Sequence, residues 1–267
     1  MSRRFIRTST RKLKQLEERR LEEYDIVSII FKGKSLADQQ VPIGVGITAE
    51  GKKVILGFEQ TATKNANVCR QFLHSLIERG LHYQQGLLFV INGSRGIRKA
   101  ITEVFGEYAA VQRCQWHKRK NVVAYLPKSE QRRFRGKLQQ AYEQHIYARS
   151  SQALKRIRDE LQHINESAVR SLDEGLEETL TLHRLGVIRE LGISLKTTNC
   201  LESINSQVER FTDRITFWKD NNQRHRWVAS ALLEIEKSMR KIKGYRYLPM
   251  LRKVLQQELN IQHIMAA

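Results

Sequence analysis

Three positions in this chain stand where a phosphoryl-transfer site would keep its acids, and one of them is acidic. Lys32 ends the apolar run Val27-Ser28-Ile29-Ile30-Phe31, and Asn92 ends the apolar run Leu87-Leu88-Phe89-Val90-Ile91. Glu202 lies in Lys196-Thr197-Thr198-Asn199-Cys200-Leu201-Glu202-Ser203-Ile204-Asn205. A polar residue at the end of a buried strand is aimed at solvent from a rigid base. Two such strand ends and a later helical Glu form the layout of a metal-dependent site, in which carboxylates hold the divalent ions that clamp the attacking and leaving oxygens. Magnesium takes hard oxygen ligands and keeps several waters, so a few carboxylates suffice. Three acids would carry −3, whereas Glu202, Asn92 and Lys32 carry −1, 0 and +1, a sum of 0.

Asn92 still offers a neutral carbonyl oxygen, while a protonated Lys32 offers only donors. A unit charge about 4 Å from a divalent ion is worth on the order of 8 kcal/mol at an effective dielectric of about 20. Since each ~1.4 kcal/mol is tenfold in rate, the replacements are expected to silence a metal-dependent reaction. Asp38, six residues past Lys32, falls in the following turn and is not expected to stand in.

The elements that must position these residues can be read from period and punctuation. Residues 9–23 read as a short charged helix, and strands follow at about 26–32, 41–48 and 53–58, the last two joined by Ala49-Glu50-Gly51-Lys52. Residues 65–79 follow a helical period, with Val68, Phe72, Leu73, Leu76 and Ile77 on one face and Gly80 as the stop. Leu87–Ile91 is too apolar for a strand with one wet face and is expected to be central in the sheet. Ile97–Phe105 reads as a helix, Ala109–Arg113 as a strand, and the rest as almost wholly helical. The order β-β-β-α-β-α-β, then helices, is that of an RNase H-like α/β fold: a mixed five-stranded sheet flanked by helices. The division that follows is a basic helical leader at 1–24, the first part of the core at 25–117, a charged helical insertion at 118–193, and a helical C-terminal part of the core at 194–267.

The 267 residues carry a formal charge of +19 and a pI of about 10.1. The cations are clustered: residues 1–20 hold eight Lys or Arg against two Glu, residues 113–137 hold nine against one Glu, and residues 237–253 hold seven and no acid. A basic face or channel of this kind attracts polyanions, nucleic acid first. Three cysteines make no disulfide framework and point to a reducing, cytosolic compartment. The apolar runs are too short to span a membrane, and no apolar segment of a secretory signal follows the basic N-terminus.

Several blocks resemble Mutator-type bacterial insertion-sequence transposases. Val90-Ile91-Asn92-Gly93-Ser94-Arg95-Gly96-Ile97-Arg98-Lys99-Ala100 is similar to that family's second-acid segment, where the Asn92 position is normally Asp. Phe31-Lys32-Gly33-Lys34 resembles the first-acid segment, normally Asp-Gly-Lys, and Thr197–Asn205 the Glu segment. Gln112-Arg113-Cys114-Gln115-Trp116-His117-Lys118-Arg119 is similar to the family's Cys-x-x-His block, and the runs Gly44–Ile47 and Lys53–Phe58 match the strands between. The resemblance covers nearly the whole chain. It implies a DNA transposase with an Asp-Asp-Glu site on an RNase H-like core, using Mg2+ or Mn2+ in the ancestral enzyme and bacterial, cytoplasmic and nucleoid-associated. Family members usually carry a further N-terminal region with DNA-binding helices, so the chain reads as the C-terminal part of a longer ancestor. With Lys32 and Asn92 at the acid positions and only Glu202 retained, no cofactor is expected to bind well in this copy.

The remaining polar blocks have competing readings. Cys114 and His117 have the spacing of half a zinc site, but a closed site takes four ligands, and Cys69, Cys200 and His183 are too scattered to complete it. The alternative is that Cys114 and His117 pack and hydrogen-bond beside the site, the supporting role that the resemblance implies. Thr197, Thr198 and Asn199 read as helix caps that fix where Glu202 points. Arg113, Lys118, Arg119, Lys120, Arg210 and Arg214 are candidate DNA contacts, with Lys219 beside them and plain solvated charge as the rival reading. Trp116 reads as a core or hinge anchor before a base-stacking platform. In the cluster Trp218, Arg224, His225, Arg226 and Trp227, the last falls at helical spacing with Leu232 and Leu233 and reads as core. Two functions compete: a transposase acting at element ends, and a DNA-binding or oligomerising remnant without chemistry, self-associating or joining intact transposase as a regulator. A basic RNA-binding scaffold would fit the charge but not the acidic-site layout.

Overall fold

The structure is a computed structural model that describes residues 3–36, 39–59, 66–212, 215, 218 and 220–261, with backbone alone at 33–36 and 39–41. Its sheet is built from β1 (Ile26–Leu36), β2 (Gln39–Thr48), β3 (Lys53–Phe58), β4 (Leu87–Ile91) and β5 (Ala109–Arg113) in the order β3-β2-β1-β4-β5. β1 runs antiparallel to β2, β2 antiparallel to β3, and β4 and β5 run parallel to β1. The mixed five-stranded sheet expected from the sequence is present. β4 is interior with all five residues buried, but the middle strand is β1. β1 was expected to end near residue 32. It leaves β4 after Phe31 yet stays paired with β2 as far as Leu36, because a hairpin partner supplies backbone bonds past the point where the parallel neighbour ends.

The helices are α1 (Arg3–Glu17), α2 (Ala66–Glu78), α3 (Arg95–Phe105), α4 (Gln115–Ala124), α5 (Lys128–Tyr142), α6 (Tyr147–Gln162) and α7 (Glu166–Asp173), then two single turns, α8 (Leu176–Thr179) and α9 (Thr181–Arg184). After them come α10 (Ile188–Leu195), α11 (Asn199–Thr212), α12 (Asn221–Ser238) and α13 (Leu248–Glu258). α1 begins six residues before the expected start at 9, because its first turn is docked: the Phe5 ring meets Trp227 of α12 with centroids 5.0 Å apart.

Alternation along the strands divides the core in two. Ile29 and Phe31 of β1, with Phe89 and Ile91 of β4, pack against Phe72 and Leu76 of α2 and Ile101 and Phe105 of α3. Ile30 and Val90 point to the other face, under Leu191 and Leu195 of α10, Leu201 and Ile204 of α11 and Leu232 of α12. A third cluster, from Val122 to Leu180, is drawn from the helices between β5 and α9 and includes Phe134, Leu138, Leu154, Leu161 and Leu172. The return from those helices is tied to β5 by Gln112, fully buried, whose amide donates to Thr179 O at 2.9 Å and accepts from Leu182 N at 2.9 Å.

Candidate functional site

Side-chain parity and register bring the site together. Ile30 of β1 is paired with Val90 of β4, and both face α11. Two residues further, with the side-chain period of 2, Lys32 and Asn92 come out side by side on that face. One strand over, Ile91 is paired with Arg113, and Cys114 N donates to Ile91 O at 2.7 Å, so Cys114 follows at the next strand end. α11 lies over the same face and carries Glu202 in its first turn. The sequence separations of 60 and 110 residues are thus closed at the carboxyl ends of the parallel strands.

There the Lys32 ammonium donates to Glu202 Oε1 at 3.0 Å, with side chains only 16% and 34% exposed. Its second contact is His117 Nε2 at 3.4 Å, and His117 Nδ1 lies 3.0 Å from Cys114 Sγ. One tautomer satisfies both contacts: Nδ1–H donates to the sulfur while Nε2 accepts from the ammonium. His117 Nε2 and Glu202 Oε1, 3.6 Å apart, then face each other as two acceptors held by one cation. Burial, and after it the Lys32 charge, lowers the His117 pKa to about 4, against which Glu202 pulls upward. Thr198 Oγ1 donates to the same Glu202 oxygen at 3.5 Å, and Glu202 N bonds back to Thr198 O at 3.3 Å. The Asn92 Oδ1 is buried and has no hydrogen-bond partner among the described residues.

The other expected residues separate into groups. Cys114 is fully buried and Asn199 is exposed at the start of α11. Cys69, Cys200 and His183 stay apart from Cys114 and His117: His183 bonds Tyr142 O at 3.3 Å, and no cluster of three His, Cys, Asp or Glu that could hold a metal occurs among the described residues. Lys120 and Arg210 are exposed, and Arg119 is half-buried and donates to Gln139 Oε1 at 2.9 Å. Arg113 and Lys118 are not surface cations. Arg113 is 5% exposed and Lys118 3%. A strand-end parity opposite to that of Cys114 turns Arg113 inward, where it donates to Gly93 O at 2.9 Å and to Glu174 O. Lys118, on the inner face of α4, donates to Ser171 O and Glu174 O, and burial lowers its pKa to about 8. Arg214, Lys219 and Asp38 lie outside the described residues.

The sequence reading missed the partner that Lys32 takes and the function of Arg113. The guanidinium of Arg113 runs between two glycines with positive φ: a Cβ on Gly93 would sit 3.0 Å from Nε, and one on Gly175 would sit 2.6 Å from Nη1. Gly-Ser after Asn92 and Glu-Gly before Leu176 were the only signals available. Trp116 is 38% exposed rather than a core anchor, set edge-on to the His117 ring with Lys120 over its own ring at 5.4 Å. Trp227, read as core from its spacing, is half-buried and meets the Phe5 ring in the α1–α12 contact.

The fold and site define an α/β protein in which three distant chain segments meet at the carboxyl ends of the parallel strands. Within that class, the family described as "Transposase, Mutator family" matches residues 11–241, and the chain belongs to this family of transposases. It is 28% identical over 196 residues to the transposase for insertion sequence element IS256 in transposon Tn4001 of Staphylococcus aureus, covering 72% of this chain and 48% of that protein. It is 28% identical over 241 residues to the transposase for insertion sequence element ISRM5 of Rhizobium meliloti, covering 87% of this chain and 59% of that protein. A third relative, the transposase for IS905 of Lactococcus lactis, is 24% identical over 213 residues, 79% of this chain and 53% of that protein. The chain thus spans about half the length of the relatives it matches. No helix among the described residues is long and apolar enough to cross a membrane.

Proposed function

We propose that this chain is a DNA-binding transposase homologue whose RNase H-like strand-transfer site has become an ion-paired lock without catalytic activity. The strand order β3-β2-β1-β4-β5, with β4 and β5 parallel to β1, supports the RNase H-like assignment. The observation that carries the reading is the Lys32 ammonium seated on Glu202 Oε1 at 3.0 Å. A divalent ion seeking that oxygen meets a cation already bonded to it, and the neighbouring strand end offers only the neutral Asn92 oxygen. This donor set does not fit a pair of divalent ions, which need several anionic oxygens, and no reaction step is assigned to them. DNA is the expected partner from the charge of +19. A non-catalytic member of this kind would act by occupying DNA or by joining intact transposase.

The test is metal binding and strand cleavage side by side. The unaltered chain should cause no site-specific Mn2+ relaxation enhancement of water protons and no Mg2+- or Mn2+-dependent nicking of DNA. The double substitution K32D/N92D should bring Mn2+ binding back. K32D or N92D alone should remain inactive, because the carboxylates act as a unit and their effects do not add. Metal-dependent nicking by the unaltered chain that Glu202→Ala abolishes would overturn the reading.

A further inference from the structure

We infer that the solvent-facing ridge of α1 is a second, self-contained seat for the backbone of duplex DNA. The inference rests on the reading of the chain as DNA-binding and names a surface which that reading leaves unassigned.

α1 is acid-free until Glu17, its last residue, and it is divided sharply by face. Phe5, Ser9, Leu13 and Leu16 form one seam. Leu16 is 1% and Ser9 2% exposed, Leu13 packs on the core, and Phe5 meets Trp227. At about 100° per residue, Arg3, Arg4, Arg7, Arg11 and Lys14 fall within an arc of roughly 100° almost opposite that seam. All five are exposed, and none takes part in an ion pair among the described residues. By contrast, Arg19, just past the helix, is drawn inward onto Glu236 at 2.7 Å, and the acids Glu17 and Glu18 come only where the row ends. A row of five exposed cations on one docked helix presents a local positive field that attracts a polyanion.

The geometry selects the polyanion. Arg3 to Lys14 spans about 17 Å at 1.5 Å per residue, about half a duplex turn, a length over which phosphates of both strands are presented across a groove. A membrane surface would need the apolar side of the helix for insertion, and that side is already buried against α12 and β3. The helix is held rigidly by Phe5 and Leu16, so the row is pre-arranged and loses little freedom when a duplex settles on it. α1 packs on α12 and on the β3 edge, two strands away from Lys32, so a duplex on the ridge is not the one facing Glu202.

Duplex binding by the full chain, titrated from 50 to 300 mM salt by fluorescence anisotropy, tests this. R3Q/R7Q/R11Q/K14Q removes four of the five cations and should flatten the slope of log K against log salt by about 3.6 and weaken binding at 100 mM salt at least about tenfold. A control, K155Q/R156Q/K243Q/K253Q, removes four exposed charges far from the ridge and should leave the slope within about one unit of the unaltered chain. Circular dichroism melts establish that both variants are folded. Equal slopes for the ridge variant and the unaltered chain, or equal losses in ridge and control variants, would overturn the ridge while leaving DNA binding standing. No duplex binding by the unaltered chain at 50 mM salt would instead sink the DNA reading itself. Tighter binding to vesicles of anionic phospholipid than to duplex, lost in the ridge variant, would assign the ridge to a lipid surface and overturn the inference.

Discussion

Lys32 holds two acceptors that would otherwise repel or ignore each other, the Glu202 carboxylate and the neutral His117 ring. Burial first, and the Lys32 charge after it, lower the His117 pKa to about 4. Because the folded pKa lies below the ordinary value near 6.5, the unfolded chain takes up a proton first as pH falls. The contribution to stability is intact above pH 6.5, declines between pH 6.5 and 4, and is fully lost below, on the order of 3 kcal/mol in total. Nitrogen-detected NMR of the His117 ring should show the neutral Nδ1–H tautomer at pH 5.5. In Lys32→Met, with the nearest cation gone and Glu202 left behind, the His117 pKa should rise by about a unit or more. An imidazolium signal at pH 6 in the unaltered chain would show that Glu202, not Lys32, governs the ring.

Between elements, Arg113 does what no surface cation could. It leaves the last residue of β5, passes between Gly93 and Gly175, and ties the turn after β4 to the turn between α7 and α8. Lys118 ties the same Glu174 carbonyl from α4, and Arg95 and Arg98 of α3 close the outside on Glu174 and Glu178 at 2.7 and 2.6 Å. Arg113→Ala would leave the Gly93 carbonyl without its guanidinium donor and Glu174 O with Lys118 alone, and should cost about 1–3 kcal/mol. Gly175→Ala should cost at least about 1 kcal/mol, since its φ of +64° is left-handed backbone and its Cβ would press on the guanidinium. Chemical denaturation with unchanged m-value would measure both. A loss below about 0.5 kcal/mol in Arg113→Ala would mean that water replaces the bridge.

At the scale of the molecule, two cores divide the labour. The sheet packs between helices on both faces, while the helices that follow β5 keep a core of their own, from Val122 to Leu180. The two are joined largely by polar threads: Gln112 onto Thr179 O at 2.9 Å, Thr181 onto Val111 O at 2.6 Å, and Arg113, Arg95 and Arg98 onto Glu174 and Glu178. Native-state hydrogen exchange should therefore show amides of α5 and α6 opening together at a lower free energy than those of β1 and β4. A single opening energy across both cores would mean that the polar threads couple them completely.

Local and periodic features were legible from residue order alone. Leu87–Ile91, a five-residue wholly apolar run between polar breaks, and Ala109–Arg113 read as strands at the bounds the structure has. Asn92 follows the end of β4 as its apolar run suggested, whereas Lys32, read as a strand end, lies inside β1, which runs on to Leu36 beside β2. Alternation and propensity are local, so they survive translation into structure. What they could not supply was pairing. Lys32 and Glu202 are 170 residues apart, and only the packing of α11 on β1 made the lysine a partner of the acid rather than a misplaced charge. Nor could composition separate surface cations from structural ones. Arg113 and Lys118 counted toward the basic surface until parity and the return of α7 turned them inward, whereas the row on α1 remained outside because its helix buries the opposite seam. A charge takes its meaning from its burial and its nearest counter-charge, and both are set by contacts between residues far apart in the chain.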